Sequence, residues 1–325
     1  MNIIQRYKIK TEADIVFSKI DIKNYFKRSD DNFEYIDFFI FVLMELSTNL
    51  VKYTDGGEIW LIEKDKKYSL ASCDKGRGIK DLDLALGSGY TTSQNSLGLG
   101  LFQIANNSKY NMQIYTQTDS NNSGTVVLVT QKDTDENIVH LTKPYMDLEQ
   151  NGDYIMSKGK YILFGDASGH GIKAQKSAKE IKEFFLDNFV SFSLAKDFCN
   201  SLHKYLKANH LRSTVLSIIE KNSNKIQISG VGNLDIWVEE LLGFHRKTFR
   251  DGIVGEVFSD LSTHSFELHK KQKLILTTDG FDSKRTKEFL DSLKYSYSPL
   301  MLGVIMLHFL SSDMDDNSIL IFEER

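Results

Sequence analysis

Only two prolines punctuate the 325 residues, and one of them, Pro144, closes the most polar connecting stretch of the chain, QKDTDENIVHLTKP at 131–144. On its N-terminal side, TVVLVT at 125–130 reads as the closing strand of one domain. On its C-terminal side, YILF at 161–164 reads as an early strand of another. At roughly 150 residues per domain, a chain of this length holds two. We place them at 1–131 and 148–325, with 132–147 as a linker. No internal repeat is visible, and the two halves do not share their glycine patterns.

Composition narrows the class. Apolar residues make up 41% of the chain and charged residues 26%, enough apolar material for two separate cores. Up to residue 131 there are 15 basic and 16 acidic residues, and after it 25 and 28, so neither half carries the positive field that binds nucleic acid. Two cysteines, Cys73 and Cys199, are too few for a disulfide scaffold or a cysteine-rich zinc site. The apolar runs at 38–44 and 299–310 fall short of the ~20 residues that span a bilayer, and the first 16 residues are interrupted by charges. The expectation is a reduced, cytoplasmic protein with no membrane segment and no nucleic-acid partner.

In the first half, residues 33–53 predict a long helix that is apolar on most sides. Strands are expected at 58–63 and 68–72, and a helix restarts at 97–106 after a glycine-rich loop. In the second half a helix is expected at 174–190. Strands follow at 214–220, 225–230, 235–239, 274–278 and 319–323. This is an α+β pattern without regular βαβ alternation.

Three motifs follow one another in the first half. ELSTNLVK places Glu45, Asn49 and Lys52 at offsets of four and seven, one face of a helix. Alone this is as readily a solvent-facing stripe. On so apolar a helix, however, buried polar groups need partners, which a bound magnesium nucleotide would supply. DKGRGI, with Asp74, Gly76 and Gly78, follows a strand, and its glycines let the backbone pass close to a flat ligand. The same pattern also describes a turn. GSGYTTSQNSLGLGL at 87–101 brings Gly98 and Gly100 to a helix start, where free amides favour an anion. Alone it describes a flexible loop equally well.

Together, in this order and at spacings of about 25 residues, the three resemble the N-box and two glycine boxes of the GHKL ATPase superfamily. Within it they resemble the small serine kinases of bacterial partner switching, the anti-sigma-factor and RsbT-like kinases. The TEADIV opening, GYTTS and the late Ser-Gly-Thr at 123–125 are similar to that group. The resemblance covers about residues 3–131 and implies a Bergerat-type α/β sandwich. It also implies ATP with Mg²⁺ held by Asn49, and adenine read by Asp74 with room from Gly76 and Gly78 and support from Thr125. Gly98 and Gly100 would hold the phosphates, and Glu45 would be the general base toward a substrate serine. Lys52 is as readily a surface lysine as a phosphate contact. With no phosphoacceptor-histidine helix read ahead of these motifs, a sensor histidine kinase is not expected.

The second half carries four acidic motifs: NGDYI with Asp153, GDASGHG with Asp166, TTDGF with Asp279, and DDNSILI with Asp315 and Asp316. Asp166 and Asp279 follow apolar strands. Carboxylates gathered from several strand ends repel one another unless cations neutralise them, and oxygen ligands suit Mg²⁺ or Mn²⁺. Singly, each Asp-Gly is as readily a turn, the acidic run a solvated loop, and His170 a loop histidine.

The series as a whole resembles the PPM-type metal-dependent serine/threonine phosphatases, in particular the SpoIIE/RsbX-like branch, over about 148–325. Val-Gly-Asn at 231–233 is also similar to that branch. The resemblance implies an αββα sandwich with two Mn²⁺ or Mg²⁺. Asp153, Asp166, the carbonyl of Ala167, Asp279 and Asp315 would be the ligands, with Asp316 as the alternative to Asp315. Asn151 stands where the family has glycine.

The two resemblances imply a bifunctional kinase and phosphatase acting on a STAS-domain partner, an anti-sigma-antagonist or a stressosome-type scaffold, with a sigma factor as a further partner. The alternative is an ATP-gated anti-sigma-type adaptor that binds without transfer and carries a phosphatase domain.

Overall fold

The structure, a computed structural model, describes residues 1–28, 36–87, 99–118, 123–147 and 150–324. It divides into two units, Met1–Asp135 and Glu136–Arg325.

The first unit runs β1 (Asn2–Ile9), α1 (Glu12–Arg28), α2 (Ile36–Tyr53), β2 (Gly57–Lys64), β3 (Lys67–Asp74), α3 (Leu82–Leu86), α4 (Gly100–Ala105), β4 (Tyr110–Gln117) and β5 (Gly124–Gln131). Its five strands form one antiparallel sheet in the order β1-β2-β3-β5-β4. The side chains that point to one face, among them Ile9, Ile59, Leu61, Tyr68, Leu70 and Val129, pack against Ile15, Ile22 and Phe26 of α1 and Leu43, Leu46 and Leu50 of α2. Strand alternation and helical spacing thus meet in one core. The helix expected over 33–53 is present from Ile36, and residues 33–35 lie outside the described residues. The helix expected over 97–106 is present as Gly100–Ala105, and residues 97 and 98 lie outside the described residues.

The second unit runs β6 (Ile138–Lys143), β7 (Asp153–Lys158), β8 (Tyr161–Ala167), α5 (Ile172–Asn188), α6 (Ala195–Ala208), β9 (Thr214–Asn222), β10 (Lys225–Val231), β11 (Asp235–Glu240), β12 (Gly243–Thr248), β13 (Ser262–Glu267), β14 (Lys273–Thr277), α7 (Ser283–Ser292), α8 (Pro299–Phe309) and β15 (Asn317–Glu323). Two antiparallel five-stranded sheets form, β13-β10-β9-β8-β7 and β12-β11-β14-β15-β6. They share one core in which Ile162, Phe164, Ile219 and Ile228 of the first sheet meet Ile236, Leu274, Leu276, Leu320 and Phe322 of the second. On the outer face of the first sheet, Ile181 and Phe185 of α5 and Leu202 and Leu206 of α6 pack on Leu163, Leu216 and Ile218. On the second sheet α8 lies against β6 and β15, and α7 against β12. The layers are helix, sheet, sheet, helix, the αββα sandwich expected, and the chain as a whole is α+β.

The structure differs from the sequence reading at the linker. Residues 138–143 within the expected linker 132–147 form β6, an edge strand paired in register with β15 from Ile138–Phe322 to Lys143–Asn317. Val139 and Leu141 are buried on it, so this polar stretch contributes to the second core. Among the described residues no helix is long and apolar enough to cross a membrane. Both cysteines are buried and free.

Candidate functional site

Each unit presents one candidate site. In the first, α2 turns its buried residues Leu43, Leu46 and Leu50 to the sheet and leaves Glu45 and Asn49 half-buried, with Lys52 exposed beyond them. Glu45 lies beside the start of α4, since a Cβ on Gly100 would fall within its carboxylate. Nine residues further on, just past the end of α2, Thr54 lies beside Gly76, whose added Cβ would stand 3.2 Å from the Thr54 methyl. At 1.5 Å per residue these two ends are about 14 Å apart, with Asn49 between them. The polar side chains of α2 thus lie between the Asp74–Gly76 turn at one end and the start of α4 at the other.

The base end is built by strand pairing. Asp74 closes β3 and is the register partner of Thr125 on β5. Its Oδ1 accepts the Gly76 amide at 2.7 Å. Burial pushes the Asp74 carboxyl above its ordinary value, and the Gly76 and Thr125 amides oppose that shift by favouring the carboxylate. Gly78 sits at φ +71°, and a Cβ there would overlap the Gln117 carbonyl, so this turn requires glycine. Thr116 was not foreseen. Its hydroxyl accepts the Ile79 amide at 2.7 Å and lies 3.3 Å from the Thr125 hydroxyl, joining the glycine turn to the β4–β5 edge. Gly98 and the GYTTS segment lie outside the described residues.

The second site is formed where strand ends of both sheets meet. Asp153 and Asp166 are direct cross-strand partners on β7 and β8. Like charges so placed repel, and both are withdrawn from water. Burial first, then Asp166 and Asp316, push the Asp153 carboxyl well up. Burial first, then Asp279, Asp315 and Asp316, push Asp166 up to about 8. Asp279 is raised by burial and by Asp315, against the pull of Asn233. Asp166 thus feels Asp279, Asp315 and Asp316, and Asp153 feels Asp166 and Asp316, which links the five sequence-predicted acids. No set of three or more His, Cys, Asp or Glu side chains among the described residues stands in ready metal-ligating geometry, so the acids are gathered more loosely than ligands around an ion.

Two of them nonetheless carry the mark of a missing partner. Oδ1 of Asp153 and Oδ1 of Asp166 are buried with no hydrogen-bond partner. An orphaned buried carboxylate oxygen is costly, and two facing each other under mutual repulsion fit divalent cations. Around them the backbone is tightly arranged. An added Cβ on Gly152 would come within 3.0 Å of the Ala167 carbonyl and 2.9 Å of the Ala174 methyl. Ala167 itself donates to the Gly152 carbonyl at 3.1 Å. The Asn151 side chain accepts the Asp153 amide at 2.8 Å, so this departure from the family pattern still holds the acid in place.

The two final acids divide their work. Both oxygens of buried Asp316 are taken by backbone amides, Tyr145 and Gly152, each at 2.7 Å. Asp315 is half-buried, and one oxygen accepts the Asp316 amide at 2.9 Å. Two further residues hold the cluster. The Thr278 hydroxyl crosses between the sheets to donate to Asp153 Oδ2 at 2.9 Å, and Asn233 Nδ2 donates to Asp279 Oδ2 at 2.6 Å. Thr278 lies within TTDGF and Asn233 within Val-Gly-Asn, but nothing local in either motif reveals which carboxylate it reaches. His170 stacks on Tyr145 with ring centroids 4.1 Å apart and lines the rim.

The family described as Histidine kinase-, DNA gyrase B-, and HSP90-like ATPase matches residues 35–135, in line with the GHKL resemblance of the first unit. No curated protein matches the chain. Among solved structures, RsbX in complex with magnesium is 18% identical, covering 59% of this chain and 97% of that one, with a TM-score of 0.48. A structure described under the bacterial stressosome is 16% identical over 57% of this chain and 97% of that one, with a TM-score of 0.48. The serine/threonine phosphatase PstP/Ppp of Mycobacterium tuberculosis is 10% identical over 58% and 98%, with a TM-score of 0.46.

Proposed function

We propose that the protein is a two-site signalling enzyme. Its first unit binds magnesium ATP and phosphorylates a serine or threonine of a protein partner, and its second hydrolyses a phosphoserine or phosphothreonine. The observation that carries the hydrolytic half of this reading is the pair of facing, buried aspartates, Asp153 and Asp166, each with an unpartnered oxygen. Buried acids without a counter-charge are a standing cost, and such groups cluster where chemistry is done.

In the second unit Asp153, Asp166, Asp279, Asp315 and the Ala167 carbonyl would hold two divalent ions, Mn²⁺ or Mg²⁺. When bound, these supply an activated water and neutralise the phosphoryl charge. The chain's own part is positioning. Thr278 fixes Asp153, Asn233 fixes Asp279, and Asp316 draws Tyr145 and Gly152 together so that the β7 entry stays against the Ala167 turn.

In the first unit Asp74 would read the adenine amino group with Thr125 and Thr116 beside it. Asn49 would hold the magnesium of the nucleotide. Gly98 and Gly100 would accommodate the phosphates, and Glu45 would take the proton of the substrate hydroxyl. Little covalent chemistry is asked of the protein in such a transfer, so a small set of aligned groups suffices.

The partner we favour is a STAS-domain protein of the partner-switching kind, including a stressosome-type scaffold, in the cytoplasm. It is supported by the E-L-x-x-N box of α2 occurring in one chain with the GDxSGHG series. The test is to incubate the chain with labelled ATP and candidate STAS proteins. Wild type is expected to transfer phosphate and Asn49→Ala to fail. Binding without transfer would favour the nucleotide-gated adaptor instead.

A further inference from the structure

The acidic site of the second unit is ringed by apolar side chains that the fold leaves in water. Met146, Ile172 and Met314 are 66%, 73% and 78% exposed. Each is tied to the site by its neighbours. Met146 follows Tyr145, whose amide is held by Asp316, and it sits in left-handed backbone at φ +47°. A bulky residue rarely adopts that conformation, so the chain accepts strain here while its side chain stays outside the core. Ile172 opens α5 two residues after His170, which stacks on Tyr145. Met314 lies between Asp313, paired with Lys143 at 3.1 Å, and Asp315 of the cluster. Three segments distant in sequence thus present an exposed apolar residue at one rim.

The same rim carries cations. Lys173 and Lys176 project from the first turns of α5, and Arg212 is anchored beside them by its amide on the Ser177 hydroxyl at 2.8 Å. All three side chains are exposed, and none forms an ion pair among the described residues. A floor of carboxylates bordered by unpaired cations and apolar side chains complements a phosphate carried between apolar neighbours. A small phosphate ester would have no use for such a rim.

Resting on the hydrolytic reading above, we propose that this rim is a docking surface for a phosphorylated protein segment. The phosphoserine or phosphothreonine of that segment has apolar side chains on both sides. Ile172 and Met314 grip those flanks, while Lys173, Lys176 and Arg212 draw the phosphate toward the site.

The test measures steady-state hydrolysis by the full chain with Mn²⁺. Three probes are used: p-nitrophenyl phosphate, a phosphoserine peptide with leucines on both sides, and the same peptide with those leucines replaced by serine. The leucine-flanked peptide is expected to show a KM about tenfold below its serine counterpart, the scale of half-burying two apolar side chains. Ile172→Ser with Met314→Ser is expected to erase that difference and leave p-nitrophenyl phosphate turnover unchanged. Lys173→Glu with Lys176→Glu is expected to raise KM for both peptides. Equal KM values for the two peptides in wild type overturn the proposal, as does an Ile172→Ser, Met314→Ser variant that slows all three probes alike. If wild type turns over p-nitrophenyl phosphate but shows no flank preference, docking alone is lost. If it turns over none of the three, the hydrolytic reading is lost and docking with it.

Discussion

At the scale of single residues, Asp315 and Asp316 are neighbours with opposite duties. Asp316 satisfies two backbone amides, the buried one of Gly152 and the half-buried one of Tyr145, and truncation would leave both without an acceptor. Asp316→Ala is expected to cost about 3 kcal/mol of stability, from the loss of two charge-assisted bonds and the orphaned amides. Asp315→Ala removes a single bond to the next residue's amide and is expected to change stability little while weakening Mn²⁺ binding. Denaturant unfolding together with calorimetric Mn²⁺ titration of the two variants checks the division. A larger stability loss in Asp315→Ala would reverse the assignment. The doublet itself was visible in the sequence, and its division of labour was not. It depends on Tyr145 and Gly152, more than 160 residues earlier in the chain. The same holds for Thr278 and Asn233, whose bonds to Asp153 and Asp279 span 125 and 46 residues.

At the scale of elements, apolar strands ending in aspartate were legible because period-two burial and a terminal acid are local facts. β6 was not. Its six residues alternate only through Val139 and Leu141, sit in a polar stretch ending in proline, and find their partner in β15 at the far end of the chain. α8 was also hidden. Its eleven residues are buried on nearly every side, so no helical period shows, and an apolar run without period does not distinguish helix from strand. Its stronger signal is the start, Ser298 capping Met301 with Pro299 at the first position. α7 begins the same way, with Asp282 accepting the Arg285 amide at 2.7 Å three residues after Asp279. Asp282→Ala is expected to cost about 1 kcal/mol and leave hydrolysis within about twofold of wild type. Thermal unfolding and turnover measured together check it, and loss of activity out of proportion to stability would mean that the cap positions Asp279.

At the scale of the molecule, the acid cluster makes the second unit's stability depend on pH and on metal together. Asp166 titrates near 8 and Asp153 is raised as well, whereas unfolded carboxyls titrate near 4. The metal-free folded state therefore holds protons that the unfolded chain releases. Their contribution is complete below about pH 4 and is lost as pH rises toward about 8. Divalent ions displace those protons, so stabilisation by Mn²⁺ is expected to grow across the same window. Unfolding temperatures at about pH 6 and about pH 8, each with Mn²⁺ and with chelator, report it. An increment no larger at the higher pH would contradict the clustering.

The central claim is that the hydrolytic site is made by the second unit's acids and the nucleotide site by the first unit's α2 and β3, each from its own residues. The most direct measurement is Mn²⁺-dependent phosphate release from a phosphoserine peptide by wild type, Asp166→Asn and Asn49→Ala. The account requires release by wild type and by Asn49→Ala at similar rates, and a loss of at least about a hundredfold in Asp166→Asn. Release that survives in Asp166→Asn, or that disappears in Asn49→Ala, would contradict it.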